Sequence, residues 1–186
     1  HTVDENLPDA IAVLNPKRQE NPHYDQLAGV GVASKLIHAM GGIEALIDYL
    51  DLVAIGTIAD IVPLTGDNRI LTAIGLEQIK DKPRLGIAML LNVAGLDHKN
   101  ITSQNIAYII APRLNAAGRM GSAMDAFNLL TAVDKDRSKE LATKLDLVNK
   151  ERQIKETKIM EEARSRIEST LCKDRRIIVL DRKSTR

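Results

Sequence analysis

The chain has 186 residues, 44% hydrophobic and 27% charged, which is ordinary globular composition and enough length to bury a core. Its single cysteine, Cys172, excludes an internal disulfide framework and a cysteine zinc cluster, and 2% aromatics argue against a protein that stacks bases on exposed rings. The net charge of +1 hides an asymmetry: residues 1–133 carry 10 basic and 14 acidic side chains, and residues 134–186 carry 16 and 11.

Residues 10–14, AIAVL, form a short apolar run that stops at Asn15-Pro16, as a buried strand ending in a loop would. Residues 17–26 are polar and contain Pro22, the pattern of a loop. From Leu27 to Met40 the apolar residues fall mostly at helical spacing, Gly41-Gly42 ends that helix, and Ile43–Leu50 gives a second, short one. Residues 52–58 are nearly all apolar and deliver Asp60 to a loop, from either a short helix or a buried strand. Helices are predicted over 67–80, 84–95 and 103–110, and Pro112 is expected to force a break. Residues 121–133 read as helical.

From Asp134 or Asp136 to about Cys172, apolar residues including Leu141, Leu145, Ile159 and Ile167 recur at three- or four-residue spacing among Lys, Glu and Arg. This pattern predicts one long amphipathic helix, spanning on the order of 50 Å, of the kind that connects domains. Residues 176–180, RIIVL, have the β-branched content of a strand. No apolar run approaches the roughly 20 residues of a membrane span, and the first residues lack signal-peptide character. A reducing, cytoplasmic setting fits this pattern.

Two places hold chemistry. Asp60 follows a strongly apolar run in GTIADIVPL, where a partly buried carboxylate must meet a cation, a metal or backbone donors. A helix cap or loop-pinning role is the plainer alternative. The second is APRLNAAGRMGSA, residues 111–123, with Arg113, Asn115 and Arg119 separated by small residues and followed by a helix start. Two guanidiniums and an amide can hold phosphate oxygens, and a helix N-terminus favours anions. The alternative is a tight turn bearing surface arginines. His38 fits a core edge, and His23 and His98 fall in polar loops.

HTVDENLPDAIAVLNPKR, LAGVGVASKL, DLVAIGTIADIVPLTGDNRIL and APRLNAAGRMGSA, in this order, resemble the RecJ family of the DHH phosphoesterase superfamily over roughly residues 1–180. The resemblance implies an α/β fold. Residues 1–133 would be the C-terminal, helix-rich part of a DHH-type parallel-sheet domain, and 134–172 a long connecting helix. Residues 173–180 would begin a second α/β domain with its first strand. Residues 181–186, DRKSTR, depart from the family and read as a truncation or assembly scar.

The resemblance also implies a two-metal phosphodiesterase that uses Mn2+ or Mg2+ to cut single-stranded DNA from its 5′ end, with single-strand-binding protein and a helicase as partners and no membrane. By motif, Asp60 is its metal-binding, catalytic aspartate. Arg113, Asn115 and Arg119 match the segment facing the DNA phosphates. His1 matches the last histidine of the Asp-His-His triplet, in a phosphate-contacting or supporting role. The family's earlier aspartates are absent, so the chain reads as an internal piece, inactive alone. The competing readings are a DHH phosphodiesterase acting on short oligonucleotides or cyclic dinucleotides, and a non-catalytic scaffold derived from the same fold.

Overall fold

The computed structural model describes residues 7–18 and 26–169, and every regular element among them is helical. After a 3-10 turn at Pro16–Arg18 come α1 (Gly29–Ile47), α2 (Leu50–Ala59), α3 (Gly66–Asp81) and α4 (Leu85–Val93). A 3-10 turn at His98–Asn100 leads to α5 (Ser103–Asn105), which runs through a π-helical turn (Ile106–Ile110) into α6 (Ala111–Met120). The order closes with α7 (Ala123–Leu130) and α8 (Lys135–Ser169).

α1 is one helical run with its break where the glycine pair predicts it: Gly42 has φ 73° and ψ −172°, a conformation that needs no Cβ. α1 rests on α2, where a side chain at Gly56 would meet Val30. At 19 residues, α1 is long and apolar enough to cross a membrane by length and composition alone, which corrects the expectation that no stretch reaches that length. The charges within it, Lys35 and Glu44, obscure the run in the sequence. In the structure Lys35 pairs with Asp67 of α3 at 2.5 Å, and Ser34 is buried, so α1 is tied into the helical packing.

Residues 52–58 form a helix, not a strand, and its apolar residues run round most of its girth because it is packed between α1 and α3. α3 approaches it very closely. A Cβ on Gly75 would lie 2.1 Å from the Leu50 carbonyl oxygen. Gly86 makes the same kind of approach between α4 and α7, at 1.9 Å from the Leu129 oxygen. These contacts close the core around Ile79, Ile87, Leu90, Ile106, Ile110, Leu129 and Leu145, all without exposed surface. Each such side chain contributes roughly 1.5–3 kcal/mol by leaving water.

Over its described residues α8 follows its prediction, with 35 residues or about 50 Å at the helical rise, and the predicted end near Cys172 lies outside the described residues. Its first half is the packed half, burying Ser138, Leu141, Ala142, Leu145, Asp146 and Asn149. Beyond these, Ile154, Ile159 and Met160 stand exposed.

Two expectations fail. Residues 10–14 form no strand: residues 9–11 bend and Ile11 is fully exposed. A strand needs a neighbour for its backbone groups, and the described residues contain none. Pro112 does not end the helix either. It falls in the first turn of α6, where a missing N–H is tolerated, and the preceding π turn shifts the pairing so that Ala111 N–H bonds Ile106 O. The strand predicted at 176–180, and the tail after it, lie outside the described residues.

Candidate functional site

Asp60 caps the C-terminal end of α2, its N–H bonding Gly56 O at 3.1 Å. The sequence suggests a partly buried carboxylate, but the side chain is exposed. The apolar run before it turns into the core and the chain leaves the helix at Asp60 itself. A carboxylate there faces the negative end of the helix dipole, an arrangement that a cation relieves. The next residue, Ile61, is β-branched yet has φ 55°, a left-handed conformation that costs on the order of 1–3 kcal/mol. Such strain persists only where surrounding structure imposes it. Asn68 supplies part of that restraint: 2% exposed, it donates from Nδ2 to Pro63 O at 3.0 Å and to Gln26 O at 2.9 Å. It thereby sews the loop after Asp60 to the segment before α1.

Asp60 lines a cavity of about 610 Å³ together with Asn15, Lys17, Gln26, Leu27 and Gly29. Asn15 Oδ1 accepts from Lys17 N–H at 3.0 Å and shapes the turn that brings Lys17 there. Gly29 opens α1, whose N-cap Ala28 has no side-chain acceptor for the first N–H groups. Among the described residues the cavity thus joins one carboxylate, one ammonium and a helix start. Sequence reasoning missed Lys17, Gly29 and Asn68. The only signals were the Asn15-Pro16 turn and the glycines at 29 and 31, which read equally well as ordinary loop and helix.

Most of the segment 111–123 is α6, and this sorts the three candidates by face. Asn115 and Arg119 are exposed and four residues apart, so they share one face. Arg113 points elsewhere. Its Nε and Nη2 lie 2.9 and 2.8 Å from Asp146 Oδ1 on α8, and Nη1 donates to Ile109 O at 2.7 Å. Lys150 takes the other Asp146 oxygen at 2.7 Å. Burial works to raise the Asp146 carboxyl, but hydrogen bonds from Lys150 and Arg113 outweigh it and hold the group below its ordinary value.

The helix start after this segment is also taken: Ser122 accepts from Met124 N–H at 3.2 Å, and Asp125 stands in the first turn of α7, paired to Lys144 at 2.8 Å. No hydrogen bond or ion pair joins Asp60 to Arg113, Asn115 or Arg119 among the described residues, although α2 and α6 are in contact. His1 and His23 lie outside the described residues. His38 is exposed, and His98 Nδ1 donates to Lys80 O at 2.7 Å, so His98 is held and not freely solvated. No group of three His, Cys, Asp or Glu able to hold a metal occurs among the described residues.

No family model matches the chain. Individual proteins do. The single-stranded-DNA-specific exonuclease RecJ of Bacillus subtilis is 41% identical over 169 residues, which is 90% of this chain and 21% of that protein. The protein of the same name from Escherichia coli is 38% identical over 168 residues, 82% of this chain and 29% of its own length. The crystal structure of RecJ in complex with Mn2+ from Thermus thermophilus superposes with a TM-score of 0.77 at 33% identity, over 87% of this chain and 25% of that one. The chain resembles RecJ. The resemblance read from GTIADIVPL and APRLNAAGRMGSA is borne out by these RecJ matches, and the helical arrangement is that of a RecJ segment. This chain spans about a fifth to a third of the length of the RecJ proteins it matches.

Proposed function

We propose that this chain is a segment of a metal-dependent 5′→3′ exonuclease acting on single-stranded DNA in repair and recombination. The observation that carries the reading is its identity of 36–41% to proteins named as single-stranded-DNA-specific exonucleases, over most of its length. That match favours hydrolysis of single-stranded DNA over the short-oligonucleotide and scaffold readings.

Within this reading Asp60 is one ligand of the metal centre. Its exposed carboxylate at a helix C-terminus, in a cavity beside a strained loop, suits a divalent ion such as Mn2+ or Mg2+. RecJ has been solved with each of these ions. A single carboxylate does not hold an ion pair, so the remaining ligands come from outside the described residues. The bound ions would supply Lewis acidity and an activated water. The chain's own residues do the rest. Asn115 and Arg119, on one face of α6, bind and orient phosphate oxygens, Arg119 by charge-assisted bonds. Lys17 adds positive charge in the Asp60 cavity. Arg113 holds α6 against α8.

At domain scale, the reading places 1–133 in a DHH-type domain with a parallel sheet, α8 as its connecting helix and 173–180 as the start of a second α/β domain. The likeness to Thermus RecJ supports the helical part of this placement. Single-strand-binding protein and a helicase as partners, His1 as a phosphate-side residue and a cytoplasmic location belong to the same reading.

The test is Asp60→Ala in the full-length protein. Mn2+-dependent release of nucleotides from a 5′-phosphorylated single strand should fall on the order of 100-fold or more, with DNA binding largely kept. Unchanged turnover removes Asp60 from the site.

A further inference from the structure

We infer that Arg113 and Asp146 form a positioning pair through which α8 sets the placement of the phosphate face of α6. The inference rests on the reading of Asn115 and Arg119 as phosphate-binding residues. Four observations carry it. Arg113 leaves α6 two residues before Asn115 and six before Arg119, and its guanidinium is committed on both sides. Toward α8, two of its nitrogens meet Asp146 Oδ1. Toward its own helix, the third donates to Ile109 O, inside the π turn that lets the helix pass Pro112. Asp146 is 5% exposed, and its second oxygen is held by Lys150 one turn further along α8.

The geometry has a mechanical consequence. A π turn inserts one residue into the helical repeat and so offsets everything after it by roughly 100° about the axis. The face shown by Asn115 and Arg119 therefore depends on that turn being kept. Arg113 fastens the carbonyl of the turn and the flank of α8 with one rigid, planar group, which a lysine cannot imitate. α8 continues past this contact as one helix to Ser169, so Asp146 links α6 to that whole helix. Asp146 thereby becomes a positioning residue for DNA that it does not touch.

The experiment is a double-mutant cycle in the full-length protein, read as KM and kcat on a 5′-phosphorylated single-stranded oligonucleotide. Asp146→Asn keeps the shape and removes the charge. It should raise KM about tenfold with a smaller change in kcat. Arg119→Ala should raise KM as well. If Asp146 acts through the α6 face, adding Asp146→Asn to Arg119→Ala should raise KM by less than about twofold further. A purely structural pair gives the opposite pattern: a lower fraction of active enzyme, unchanged KM, and an undiminished effect in the Arg119→Ala background. That result overturns the inference alone. Unchanged KM in Arg119→Ala overturns the phosphate reading and the inference with it. Should Asp146→Asn not fold, Arg113→Lys keeps the charge while losing the fork, and the same cycle is read on it. Failure of both variants to fold assigns the pair to stability and ends the proposal.

Discussion

Two ion pairs with a buried carboxylate, Arg113–Asp146 and Arg84–Asp51 (Nε to Oδ2, 2.7 Å), respond to pH in different ways, and the difference follows from which partner is shifted. Asp146 is 5% exposed and is held below its ordinary carboxyl value, where its hydrogen bonds from Lys150 and Arg113 overcome burial. A group whose folded value lies below its unfolded value of about 3.9 contributes its full stability above that value. The contribution is lost as pH falls through the folded value. Asp146→Asn should therefore unfold at lower urea concentration at pH 7, and the gap to the parent protein should narrow as pH drops below about 4. A constant gap across that range would show that the charge is not what matters. Arg84 is shifted the other way, raised chiefly by its hydrogen bond to Asp51, so its contribution is complete throughout the working pH range and adds no pH dependence there. Removing either guanidinium is a separate matter. Arg113→Ala leaves the buried Asp146 carboxylate with Lys150 as its one remaining ion-pair partner and should cost about 2 kcal/mol in denaturant unfolding.

The helices show where one chain of letters suffices and where it does not. Local signals placed α3, α4 and the start of α8 within a few residues, because each has a periodic apolar face with a clear boundary. The break at Gly42 was equally legible, since a glycine pair is the natural place for a positive φ. The close approaches at Gly75 and Gly86 were not, because a small residue inside a helix does not announce which neighbour comes near. Gly75→Ala tests one of them. The added methyl would collide with the Leu50 carbonyl, so the usual helix-propensity gain of alanine should reverse to a loss of about 2 kcal/mol in thermal or urea unfolding. Pro112 misled for a related reason. Its missing N–H breaks a regular α-helix, but the π turn before it had already changed the pairing, and nothing local in IAYII signals that turn. The face of α6 was hidden with it. From the sequence alone, 111–123 puts Arg113, Asn115 and Arg119 on one anion. Read as a helix, it gives Arg113 to Asp146 and leaves the other two outward. AIAVL failed in the opposite direction, because its apolar content speaks for burial, yet a strand is decided by partners that lie elsewhere in a sheet.

At the scale of the molecule, the recognisable motifs and the proposed catalytic machinery are not the same thing. GTIADIVPL and APRLNAAGRMGSA suffice to point to RecJ, but the described residues place only one carboxylate, Asp60, in the cavity to which the proposed function assigns the metal. Divalent ions of this class take about six oxygen ligands, and a single surface carboxylate competes poorly with water for them. The purified 186-residue chain should therefore bind Mn2+ only weakly in calorimetry, and Asp60→Ala should change that binding little. It should release no nucleotides from a 5′-phosphorylated single strand beyond the level of an Asp60→Ala control. Its apolar surfaces at Ile11, Met40 and Ile43 are exposed, so the measurement needs a circular-dichroism check that the helices are formed. Tight Mn2+ binding with degradation by the helical chain would mean that the residues outside the described set complete the centre after all. Asp60-independent degradation would move the chemistry to another part of the chain.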